Sequence, residues 1–171
     1  MLDPSENELV RSVEARLAEE LAFLEKVVNI DSGTLNVAGV RQVGRCFQDE
    51  LEALGFETRW TAVPDAMGRA GHLVAERVAP SGAAGKRVLL IGHLDTIYEG
   101  RAFERAGDTA RGAGVADMKG GDVALLFALK ALHEAILACH ADPAVRVVLL
   151  SGEGRNFCAG GDIKTFESKG E

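Results

Sequence analysis

Apolar residues recur at steps of three and four in two stretches near the start of the chain. Leu9, Val10, Val13, Leu17, Leu21, Leu24 and Val28 mark one face, and their spacing predicts a helix over 6–29. Ser5 is placed to cap it ahead of Glu6 and Glu8, and Asp31-Ser32-Gly33 ends it. Val40, Val43, Phe47, Leu51 and Leu54 predict a second amphipathic helix over 37–54, stopped by Gly55. The pattern then changes to three expected strands over 57–63, 72–78 and 87–92, with a turn segment at 79–85 between the last two. Val88-Leu89-Leu90-Ile91 is a continuous aliphatic run, the pattern of a central strand covered on both faces. A long helix is expected over 122–140, broken by Asp142-Pro143, and an aliphatic strand over 145–150. Strand, helix and strand in this order form a parallel crossover unit. The predicted class is α/β, with a mostly parallel sheet and flanking helices.

Composition narrows the function. Among 171 residues, 26 acids against 19 bases leave a net charge of −7, which disfavours the phosphate backbone of nucleic acids. Cys46, Cys139 and Cys158 show no C-x-x-C spacing, so the reading is free thiols in a reducing compartment. The first residues carry acids where a signal peptide needs bases. The greasy stretch Val123 to Leu132 contains Lys130 and is shorter than the ~20 residues of a bilayer span. The expectation is a cytoplasmic protein with neither nucleic-acid nor membrane partners.

The chemistry gathers in the glycine- and charge-rich loop 95–121, long for an inert connection. It opens on Gly92-His93-Leu94-Asp95-Thr96 at the end of the expected central strand and closes on Arg111-Gly112-Ala113-Gly114-Val115-Ala116-Asp117-Met118-Lys119-Gly120-Gly121. A histidine just past a buried strand can offer one ring nitrogen to a divalent metal, and a carboxylate two residues on can hold the ring's tautomer. Asp117 opens the long helix and can bring a carboxylate to the same ion. The plain structural alternative is a His93–Asp95 pair at a strand end, with glycines that only turn the chain. It is the commoner outcome for an isolated His-x-Asp; the ordered combination of motifs points the other way.

In that combination, residues 1–132 resemble the aminoacylase and glutamate carboxypeptidase family of dinuclear zinc hydrolases. The resemblance implies that His93 ligates one zinc, that Asp95 orients it, and that Asp117 bridges two zinc ions. It implies hydrolysis of amide bonds in small peptides or N-acyl amino acids, with a separate glutamate shuttling the proton. Where the family carries paired acids after the next strand, this chain has Ser151-Gly152-Glu153-Gly154-Arg155. Glu153 is the one carboxylate there, a candidate base or ligand. The family's later ligands and its dimerisation domain have no counterpart in this sequence, so the zinc site is partial, with room for a homo-oligomer or companion chain to complete it.

The tail has a second likeness. Asp142-Pro143-Ala144-Val145-Arg146-Val147-Val148 and Phe157-Cys158-Ala159-Gly160-Gly161-Asp162 resemble the enoyl-CoA hydratase (crotonase) superfamily over about 131–171. There the backbone N–H at Gly161 corresponds to half of an oxyanion hole for a thioester enolate. The two parts meet inside the long helix, near 128–135. The first reading is therefore an incomplete zinc hydrolase of carboxypeptidase or deacylase type. The alternatives are an acyl-CoA hydratase/isomerase-type fragment and a catalytically inactive hybrid. Among other residues, His133 and His140 share a helix face, His72 is expected half-buried on its strand, and Cys158 lacks a nearby base. Lys119 is expected as a helix-start cation making a structural contact, and Arg111 as a partner of Asp108 or Asp117.

Overall fold

The structure is a computed structural model that describes residues 10–78 and 88–146. The chain divides into two compact units, 1–135 and 136–171.

The first unit is built on three helices: α1 (Leu17–Val28), α2 (Val37–Ala53) and the N-terminal part of α3 (Gly120–Ala141). The expected first helix is in two pieces, because residues 10–14 are helical and the chain turns before α1. Arg16 leaves helical geometry (φ −100°, ψ 2°), and its guanidinium pairs with Glu134 on α3. The Asn36 side chain caps α2 by accepting the Gly39 N–H at 3.0 Å, and Gly55 beyond its end takes φ +80°. Phe23, Val27, Val43, Phe47, Leu126 and Phe127 form the centre of the core. Phe23 meets Phe47 edge to face at 5.3 Å between centroids, the geometry preferred by aromatic quadrupoles.

Two small sheets flank this body. Strands β1 (Glu57–Thr61) and β2 (His72–Glu76) pair antiparallel from Glu57↔Glu76 to Thr61↔His72. Gly44 on α2 has no Cβ because the Trp60 ring of β1 fills that space. Strands β3 (Glu104–Ala106) and β4 (Thr109–Arg111) form a short hairpin turned at Gly107, where φ is +57°. Helices and strands are thus mixed, as an α/β reading requires, but the mostly parallel sheet is corrected. Among the described residues both sheets are antiparallel and two-stranded, and the parallel pairing is the single bridge Gly33↔Thr96. The expected central strand at 87–92 is extended chain without a ladder over its described part. Its Val88, Leu89, Leu90 and Ile91 are 63%, 80%, 46% and 76% exposed. The physical reason is partnership, since a parallel central strand needs a neighbour on each edge and β1 and β2 pair with each other.

Helix α3 runs without a break through 128–135, where the two sequence likenesses meet. By length and composition alone, the stretch Val115–Ala141 is apolar enough to cross a membrane. In the first unit, however, Val123, Leu126, Phe127 and Ala131 are buried in the protein's own interior. Lys130 pairs with Glu19 at 2.9 Å and Glu50 at 2.8 Å, and lies over the Phe127 ring at 4.5 Å. In the second unit, α3 ends at Ala141 and Asp142 accepts the Ala144 N–H at 2.8 Å, the break expected from Asp142-Pro143. Of the strand expected at 145–150, residues 147–150 lie outside the described residues, as do Ser5 and the 79–85 turn.

Candidate metal centre

Two loops bring the candidate ligands together. The first continues from the extended 88–92 segment and is pinned by backbone bonds to the chain after α1. Thr96 N–H donates to the Ser32 carbonyl at 3.0 Å, and Thr34 N–H donates to the Thr96 carbonyl at 3.1 Å. The second is a wide turn over Val115–Lys119, in which Asp117 adopts φ −145° and ψ 96° and the Asp117–Met118 peptide is cis. Lys119 anchors this turn. Its side chain is fully buried, and its ammonium donates to the Val27 carbonyl at 2.9 Å and the Ile30 carbonyl at 3.0 Å. A cation thus satisfies carbonyls left free at the C-terminal end of α1, where the helix dipole is negative. Burial lowers the Lys119 pKa against the opposing charge of Asp31. The structural contact expected of this helix-start cation is a tie to the end of α1.

His93 lies between Asp95 and Asp117. His93 Nε2 lies 2.9 Å from Asp117 Oδ1, and His93 Nδ1 lies 2.9 Å from the Asp95 main-chain oxygen. The Asp95 carboxylate is farther from Nδ1, at 3.4 Å, so the carbonyl makes the closer contact with the ring. Both ring nitrogens face oxygen acceptors. A neutral imidazole has one N–H and can satisfy one of them, whereas an imidazolium satisfies both. Burial works to lower the His93 pKa; the Asp117 hydrogen bond, the Asp95 carbonyl and the two carboxylate charges outweigh it, and the pKa is raised. The His93 side chain is 41% exposed and that of Asp117 65%, so a small ion in solution has access to both.

Imidazole nitrogen and carboxylate oxygen are the donor types of zinc, and the pair matches that chemistry. The donor number falls short: among the described residues no three His, Cys, Asp or Glu side chains converge on one point. Glu153 and Gly161 lie outside the described residues, as does Cys158. His133 Nδ1 faces Arg77 Nη1 at 3.0 Å, and His72 is exposed rather than half-buried. Arg111 makes no ion pair with Asp108 or Asp117; in the hairpin it stands opposite Glu104.

One residue beside the site has no role in the sequence reading. Asp122 sits in the first turn of α3, only 8% exposed, with Oδ2 unpartnered among the described residues. Its other oxygen occupies the space where a Cβ on Gly92 would stand. Burial pushes its pKa up to about 7, against the pull of nearby His93. The available signal was Gly92 itself, a glycine next to the histidine with no turn to make.

The comparisons with known proteins divide along the chain. Residues 126–171 match the family model for enoyl-CoA hydratase/isomerase. Carboxypeptidase G2 from Pseudomonas sp. (strain RS-16) is 36% identical over 118 residues, which cover 65% of this chain and 27% of that protein. The chain therefore spans about a quarter of the length of this relative. It joins a part similar to a carboxypeptidase to a part similar to enoyl-CoA hydratases and isomerases, and both resemblances drawn from the sequence are supported.

Proposed function

We propose that residues 1–132 are a zinc-hydrolase catalytic domain, incomplete by itself, of the type that cleaves amide bonds in small peptides or N-acyl amino acids. Residues 131–171 form a crotonase-like tail. The observation that carries this reading is the 2.9 Å approach of His93 Nε2 to Asp117 Oδ1 from two separate loops. His93 and Asp117 would hold the metal. Zinc bound there supplies Lewis acidity toward an amide carbonyl and a water acidic enough to ionise near neutrality. The protein's own contribution is orientation. With the Nδ1 proton donated to the Asp95 carbonyl, a neutral ring would have Nε2 free to ligate an ion, which would replace the proton that Nε2 and Asp117 share in the metal-free contact. Lys119 fixes the turn that presents Asp117. Glu153 is the candidate base or further ligand, and a companion chain or second copy would provide the remaining donors. The free thiols of Cys46 and Cys139 suit a reducing, cytoplasmic setting.

The match of 126–171 to enoyl-CoA hydratase/isomerase favours a second reading, acyl-CoA binding through the Gly161 segment. A zinc titration, an assay of amino-acid release from N-acyl amino acids and retention on immobilised CoA separate the two. The first reading expects zinc uptake that His93→Ala abolishes, with amino-acid release that requires both zinc and whatever supplies the remaining donors. Zinc uptake equal in the parent and His93→Ala, together with retention on CoA, would replace it by the second.

A further inference from the structure

Within the first unit, a cleft of about 590 Å³ opens beside α2, β2 and α3. Its walls include Val40, Phe47, Leu73, Leu94, Leu126 and Leu129, and it falls within the range of roughly 300–1,000 Å³ typical of small-molecule sites. Asp122 lines the same cleft. This carboxylate is more than nine-tenths buried, and Oδ2 has no donor among the described residues. Buried carboxylate oxygens are ordinarily hydrogen-bonded, and one left bare among aliphatic walls marks a missing donor.

Of the other titratable groups on the cleft, His72 is exposed, and Arg69, His93 and Asp95 are already engaged. Arg69 Nη1 lies toward the Met67 and Gly68 carbonyls at 3.2 and 3.5 Å, and His93 sits between Asp95 and Asp117. The unmet need is thus a donor for one acid, inside an apolar space. We propose that this cleft binds a small molecule with an apolar body and a protonated amine, the ammonium donating to Asp122 Oδ2. The aliphatic walls take the body, and the charge-assisted hydrogen bond selects the amine over neutral and anionic molecules of the same shape. Neither zinc nor Glu153 enters this assignment, so it stands or falls separately from the hydrolase reading.

The test is an NMR titration in the presence of a chelator, following the amides of Gly92, Val123 and Leu126. Three probes share one body: phenethylamine, phenethyl alcohol and hydrocinnamate. The amine is expected to bind at least about tenfold more tightly than the alcohol, and the acid most weakly. In Asp122→Asn, alcohol binding persists while the amine's advantage falls to about twofold or less. Equal affinity for amine and alcohol in the parent, or no binding of either, overturns the assignment. So does an undiminished amine preference in Asp122→Asn. Should that variant lose its native spectrum, the ranking of amine above acid in the unaltered protein decides the matter alone.

Discussion

Val43, Val123 and Leu126 are at most 1% exposed, whereas Val88, Leu89, Leu90 and Ile91, with the same kinds of side chain, are 46–80% exposed. The first set lies on helices whose apolar stripes face one another. The second lies on extended backbone that lacks ladder partners among the described residues. Aliphatic character supplies the drive for burial, and only a neighbouring element supplies the place. A helix satisfies its own backbone and needs only one packed face. A strand also needs a second chain segment for its hydrogen bonds.

The sharpest way to break this contrast is to strike the core. Phe127→Ala should cost about 3–5 kcal/mol, read by chemical denaturation, because it empties space beside Phe23 and Lys130. Lys119→Met comes next, with a loss of about 2–3 kcal/mol. It preserves the aliphatic stem and leaves the Val27 and Ile30 carbonyls without their donor.

Asp122→Leu should act in the opposite direction, gaining about 1–2 kcal/mol by removing a buried, unpartnered carboxyl. The Asp122 pKa is raised from 3.8 to about 7, so the folded state holds this proton more tightly than the unfolded chain. The group's stabilising contribution is therefore complete below about pH 4 and lost as pH rises toward 7. A pH series of melts should show that slope reduced in Asp122→Asn. The smallest effect is expected from Leu89→Lys, within about 0.5 kcal/mol, since the residue is 80% exposed. A loss of several times that size would mean that 88–91 is packed as the core is.

The helices were legible because periodicity and caps are local. Val40, Val43 and Phe47 mark the face of α2 that is buried, and Gly55 marks its end. The hairpin of β1 and β2 was legible as two strands, but which segments pair with which is decided by tertiary neighbours. The expectation for 87–92 failed at that step. At the site, His93, Asp95 and Asp117 stood out by motif, and in the structure His93 contacts the Asp95 main chain and the Asp117 carboxylate. The partners of Lys119 and the role of Asp122 were hidden, because each depends on an element distant in sequence. Lys119 reaches carbonyls at the end of α1, and Asp122 fills the space left by Gly92.

The central claim is that His93 and Asp117 form the seed of a zinc site on a folded helical body. A thermal unfolding curve with and without zinc, in the parent and in His93→Ala, tests both halves at once. Zinc at about 100 times its Kd adds about 2.7 kcal/mol, a rise of roughly 5–11 °C for a chain of this length. The account predicts a cooperative melt that rises with zinc in the parent and stays unchanged in His93→Ala. A cooperative melt indifferent to zinc, or one that rises equally in both proteins, would contradict it.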